Sequence, residues 1–137
     1  MLLLAGCGGE ARMSSADYVR TVNDAGRKLS AVFGTVDQGT SNLNQVAVRV
    51  ARARRTLDGV TKTLSELRPP QKAERPHRSL VVALRTLSTD LDRLAKAAAS
   101  GYPNAVAEAR ARLLAPGRQL SAAIQQLQQA GFAINTG

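Results

Sequence analysis

Aromatic side chains are nearly missing from this sequence, with no tryptophan, two phenylalanines and two tyrosines in 137 residues. The apolar share is an ordinary 44% and consists mostly of Ala, Leu and Val. Such a core suits close-packed helices better than an aromatic-rich β-sandwich. One cysteine cannot form an internal disulfide. One histidine cannot supply the two E-x-x-H motifs that a di-iron bundle needs, so Glu74 and His77 at that spacing are a coincidence. Covalent haem attachment needs C-x-x-C-H, and a phosphate-cradling loop needs G-x-x-x-x-G-K-[ST]; neither occurs. No apolar run approaches the roughly 20 residues that span a bilayer. No nucleophile, base and orienting acid can be assembled from the motifs present, so the chain reads as a non-enzyme without a cofactor.

Acidic residues are also scarce, 10 against 19 Lys and Arg, leaving a formal charge of +9. That balance favours an anionic partner such as phospholipid head groups, an anionic wall polymer or nucleic acid. Compositional bias competes with this explanation. Arg outnumbers Lys fifteen to four and Ala is abundant, as in proteins of GC-rich genomes.

The sequence is rich in helical periodicity. A first helix is predicted over about 15–36, with Ser14 and Asp17 as a capping box and Tyr18, Val22, Ala25, Leu29, Val32 or Phe33, and Val36 on one face. Asp37 to Ser41 reads as a turn and a new cap. In the second helix Leu43, Val46, Val50, Ala53, Leu57, Val60, Leu64 and Leu67 recur at steps of three and four, until Pro69-Pro70 ends it. The third starts between Gln71 and Pro76 and carries His77, Leu80, Leu84, Leu87, Leu91, Leu94 and Ala98, with Gly101 placed as a left-handed cap. The fourth starts at Pro103 and carries Val106, Ala109, Leu113, Leu120, Ile124, Leu127 and Ile134. Pro116 would strike the carbonyl of Arg112, so a kink is expected there, with the apolar face resuming in phase. The fold expected is all-α: an up-down-up-down antiparallel four-helix bundle over 15–137, its fourth helix kinked at Pro116.

The first residues follow another logic. Leu4-Ala5-Gly6-Cys7 resembles the lipobox of bacterial lipoproteins, in which a diacylglyceryl group is placed on the cysteine thiol and the signal peptide is cut just before it. The resemblance implies that 1–6 are the remnant of a signal peptide, that Cys7 carries the lipid and that 7–14 form a flexible tether. No Lys or Arg precedes Cys7 and only three leucines stand before the box, so Met1 is expected to lie inside a longer reading frame. Residues 64–94, LSELRPPQKAERPHRSLVVALRTLSTDLDRL, also resemble a segment of small uncharacterised helical-bundle lipoproteins of high-GC bacteria. There a helix ends at a proline pair and the next begins near a His-x-x-Leu. That resemblance implies fold and location, with no activity attached.

Arg49, Arg52, Arg54 and Arg55 form the densest basic cluster. Arg49 with Arg52, and Arg52 with Arg55, share helix surface and repel each other, so an anionic surface would relieve them. The expectation is a lipid-anchored protein on the outer face of the cytoplasmic membrane, held through Cys7, with a non-enzymatic binding or structural role in the cell envelope. Anionic head groups or wall polymer are its candidate partners, and no nucleic acid is expected. The rival classes are a cytosolic basic helical protein that binds nucleic acid, and a cofactor or phosphotransfer bundle using His77. His77→Leu is expected to leave folding intact or improve it, because leucine extends the apolar stripe.

Overall fold

The computed structural model describes residues 11–36 and 42–135. Every regular element among them is helical. Helix α1 runs Ser15–Val36 and α2 Leu43–Ser65. A short 3-10 turn, Gln71–Ala73, precedes α3, Glu74–Ser100. Helices α4, Pro103–Arg112, and α5, Leu114–Gln129, follow one another across Leu113.

The ends of the helices obey local chemistry. Ser14 Oγ accepts the N–H of Asp17 at 3.1 Å, satisfying one of the donors that a helix start leaves free. Asn42 caps α2, its side-chain oxygen accepting from the N–H groups of Asn44 and Gln45. The turn expected at Asp37 to Ser41 lies outside the described residues. Gly101 closes α3 at φ +80°, a conformation in which a Cβ would be strained. Pro103 is the first residue of α4, where its missing N–H has no intrahelical partner in any case.

The fourth helical length is interrupted at Leu113, three residues before Pro116 and directly after Arg112, whose carbonyl the proline ring would meet. Pro116 thereby becomes the third residue of α5, where no intrahelical N–H bond is lost, and its ring is fully buried.

At the far end of α5 the N–H of Gly131 bonds to Gln128 O and that of Phe132 to Leu127 O, both at 3.0 Å. With Gly131 at φ +97° this is a Schellman motif, and it carries Phe132 back over the core beside buried Leu127. Ile134, counted on the fourth helix's stripe from the sequence, is buried, but from the tail after α5 and not from the helix.

Helix α3 is the centre of the molecule, packing on α2 on one side and on α4 and α5 on the other, while α1 lies on α2. The tail ties back to α1: Asn23 Nδ2 donates to Ala133 O at 3.1 Å and Asn23 Oδ1 accepts the Asn135 N–H at 2.8 Å. The four helical lengths enclose one core, whose largest fully buried members include Tyr18, Val50, Leu57, Leu64, Leu84, Leu91 and Leu127. Each such aliphatic side chain contributes about 1.5–3 kcal/mol by leaving water. No described helix is long and apolar enough to cross a membrane.

Candidate functional site

The most buried polar contact joins three helices at one end of the molecule. His77 lies in the first turn of α3 and is 6% exposed. Its Nε2 is 2.8 Å from the carbonyl oxygen of Leu64, in the last turn of α2. A carbonyl only accepts, so Nε2 carries a hydrogen, and because burial disfavours the imidazolium Nδ1 keeps a lone pair. Tyr18, in the first turn of α1, donates its hydroxyl to that lone pair at 2.9 Å. The imidazole is therefore neutral, with its tautomer set by its neighbours. The Tyr18 ring meets His77 edge-on, centroids 5.5 Å apart, and meets Phe132 edge-on at 5.4 Å.

Burial lowers the His77 pKa from its ordinary value, opposed by the hydrogen bond to the Leu64 carbonyl, and burial pushes the Tyr18 phenol up. Phosphotransfer needs an exposed, reactive imidazole, whereas both nitrogens of His77 are committed inside the protein. Met13 packs against the core beside this end and bonds through its N–H to Arg68 O. Glu74 pairs with Arg12 at 3.2 Å and Arg78 at 3.6 Å. Replacing His77 by Leu would strand the Tyr18 hydroxyl, so the sequence-based expectation of a neutral or stabilising change is reversed by this geometry.

A second polar cluster joins α2 to α3 at mid-length. Arg54 Nη1 donates to Asp92 at 3.0 Å and its Nε reaches Ser88 Oγ at 3.4 Å. The Ser88 hydroxyl donates to Asp58, and Lys96 pairs with Asp92 at 2.8 Å. The hydrogen bond from Lys96, helped by the charges of Arg54 and Lys96, holds the Asp92 carboxyl below its ordinary pKa against the opposing effect of burial. Half of this cluster was legible as pairs four apart, Arg54 with Asp58 and Asp92 with Lys96. Ser88, which joins the two helices, carried no signal of its own.

The four arginines of the sequence-based cluster thus point different ways. Arg54 is turned into the α2–α3 seam. Arg49 reaches the carbonyl of Thr35, near the end of α1, at 3.5 Å. Arg52 and Arg55 are exposed. Leu4, Ala5, Gly6 and Cys7 lie outside the described residues.

Two clefts flank α2. The one toward α3 has a volume of about 470 Å³ and is lined by Asp58, Thr61, Lys62, Ser65, Arg85, Ser88 and Thr89. The one toward α1 has a volume of about 330 Å³ and is lined by residues that include Thr21, Asp24, Lys28, Arg55, Thr56, Gly59 and Thr63. Both are polar and basic. Among the described residues no group of three or more His, Cys, Asp or Glu side chains is placed to hold a metal ion. Compared with protein-family models, with curated proteins and with solved structures, the chain matches none.

Proposed function

We propose that this chain is a lipid-anchored, extracytoplasmic protein with a non-enzymatic binding or structural role in the cell envelope, attached to the outer face of the cytoplasmic membrane through a diacylglyceryl group on Cys7. The observation that carries the reading is the run Leu4-Ala5-Gly6-Cys7, which uses the single cysteine of the chain and stands a few residues before α1. Two acyl chains anchor stably where one does so only marginally. The helical body is read as an up-down-up-down bundle whose fourth length bends ahead of Pro116. The meeting of the starts of α1 and α3 with the ends of α2 and α5, around Tyr18, His77, Leu64 and Phe132, supports that topology. The exposed Arg52 and Arg55 would face anionic head groups or wall polymer.

The test is expression from the reading frame extended upstream of Met1, followed by mass spectrometry of the membrane fraction. The expected product begins at Cys7 and carries lipid there, and Cys7→Ser abolishes the modification. An unmodified cysteine on a soluble product that is retained on DNA at low salt would replace this reading with the nucleic-acid one.

A further inference from the structure

We propose that the cleft between α1 and α2 binds the phosphate ester of a small polyol. Lys28 from α1 and Arg55 from α2 line it, and among the described residues neither has an ion pair or a hydrogen bond. The carboxylate at its edge, Asp24, is held by Arg27 on the same helix. The half-buried Thr56 hydroxyl also lines the cleft and donates to no described group. Three donor side chains of different shape therefore line one cleft, none of them bonded to a described protein acceptor. A guanidinium fork engages two oxygens, and an ammonium and a hydroxyl take others. A tetrahedral phosphate offers that many oxygens, and a carboxylate does not.

The remaining hydroxyls name the other part of the ligand. Thr21 donates to Asp17 O at 2.9 Å and Thr63 to Gly59 O at 3.1 Å. Their oxygens keep lone pairs that face no described donor, which suits ligand hydroxyl groups. Gly59 lines the cleft as well, and a Cβ there would meet nothing within 4 Å. A cleft of about 330 Å³ lies at the small end of ligand sites, which limits the polyol to a few carbons.

The cleft on the other side of α2 is the internal control. It too offers two cations, Lys62 and Arg85, but every one of its hydroxyls already donates within the protein, Thr61 to Leu57 O, Ser65 to Lys62 O, Thr89 to Arg85 O and Ser88 to Asp58, so it has no counterpart of the Thr56 hydroxyl. Charge alone would make the two clefts equal, while the uncommitted Thr56 hydroxyl favours the α1–α2 side.

The proposal holds whether or not Cys7 carries lipid, so its test uses the unacylated 137-residue chain. Glycerol 1-phosphate, inorganic phosphate and glycerol are titrated separately and followed by amide NMR shifts. The expected result is saturable shifts around Thr56 and Gly59 with glycerol 1-phosphate, weaker binding of inorganic phosphate and none of glycerol. Lys28→Gln and Arg55→Gln should each weaken binding about ten-fold, Thr56→Val by a few-fold, and Lys62→Gln or Arg85→Gln by less than about two-fold. Vesicles of phosphatidylglycerol and of phosphatidylserine, alike in charge, then separate the sources. A preference for phosphatidylglycerol that Arg55→Gln removes identifies a lipid head group, and its absence identifies a free phosphate ester. Equal affinity for inorganic phosphate overturns the polyol assignment. Equal losses from Lys62→Gln and Lys28→Gln, or no saturable shift at all, overturn the site.

Discussion

Tyr18 and His77 at one end of the molecule do what Arg54, Asp58, Ser88 and Asp92 do at mid-length: they join helices through side-chain hydrogen bonds. The two clusters differ in solvent. Around Tyr18 and His77 the residues are buried, and each side-chain polar atom has a single partner inside the protein. The Arg54 side chain is 41% exposed and that of Asp92 29%, so water stands ready to take over. A buried group left without its partner costs about 1–3 kcal/mol, while an exposed ion pair contributes about 0–1 kcal/mol. The comparison teaches that the neutral, uncharged contact organises the bundle and the charged one decorates it.

The largest effect should come from His77→Leu. It leaves the Tyr18 hydroxyl buried without an acceptor, whereas the Leu64 carbonyl retains the N–H of Leu67. A loss of about 2 kcal/mol in denaturant unfolding is expected, and Tyr18→Phe in the same chain should recover part of it, because the stranded hydroxyl is then gone. Additive losses in the double variant would show that the two residues act separately.

Acid should reveal the same contact. A protonated Nδ1 could no longer accept from Tyr18, and burial holds the folded pKa of His77 below its value in the unfolded chain. The unfolded state therefore takes up the proton first. The contribution is complete above the unfolded pKa near 6.5 and is lost as pH falls through the window between that value and the lower folded one, with a slope of at most about 1.4 kcal/mol per pH unit. Unfolding curves at a series of pH values should show this slope in the native chain and not in His77→Leu. An identical slope in both would assign it to carboxylates.

Pro116→Ala sharpens the comparison from the apolar side, since the ring is buried and has no hydrogen bond to lose. Removing its methylenes should cost about 1 kcal/mol through the hole left behind, seen as a lower melting temperature. A rise would mean that strain at the Leu113 interruption outweighs the packing.

The smallest effect is expected from Arg54→Met, below about 1 kcal/mol, and it should vanish in 1 M salt. A loss as large as that of His77→Leu would break the comparison and make the α2–α3 network a structural element in its own right.

Much of the architecture was legible in the residues themselves. Every member of the second helix's stripe from Val46 to Leu64 is buried as its spacing requires, Ser14 caps the helix it precedes, and Gly101 takes the left-handed conformation its position called for. These features depend on neighbours within about one helical turn. The α5 terminus at Gly131 was equally local, yet the apolar periodicity continued to Ile134 and concealed it. The candidate sites were much less legible. The arginine cluster looked like one surface because spacing locates residues on a helix, but spacing does not say that Ser88 and Asp92 of another helix await Arg54.

By itself the sequence determined that the chain is helical, where most helices begin and end, and which face of each turns inward, because these follow from capping chemistry and the 3.6-residue period acting over a few residues. The tertiary structure decided which side chains meet. It made His77 a neutral acceptor for Tyr18 where its place on the stripe suggested a replaceable apolar position, and it sent Arg49 to a neighbouring backbone carbonyl, Arg54 into an ion pair and Arg55 to an open cleft, leaving Arg52 exposed. The reason is one of range: a hydrogen bond between residues 59 positions apart exists only after the helices have chosen their rotation and register against one another.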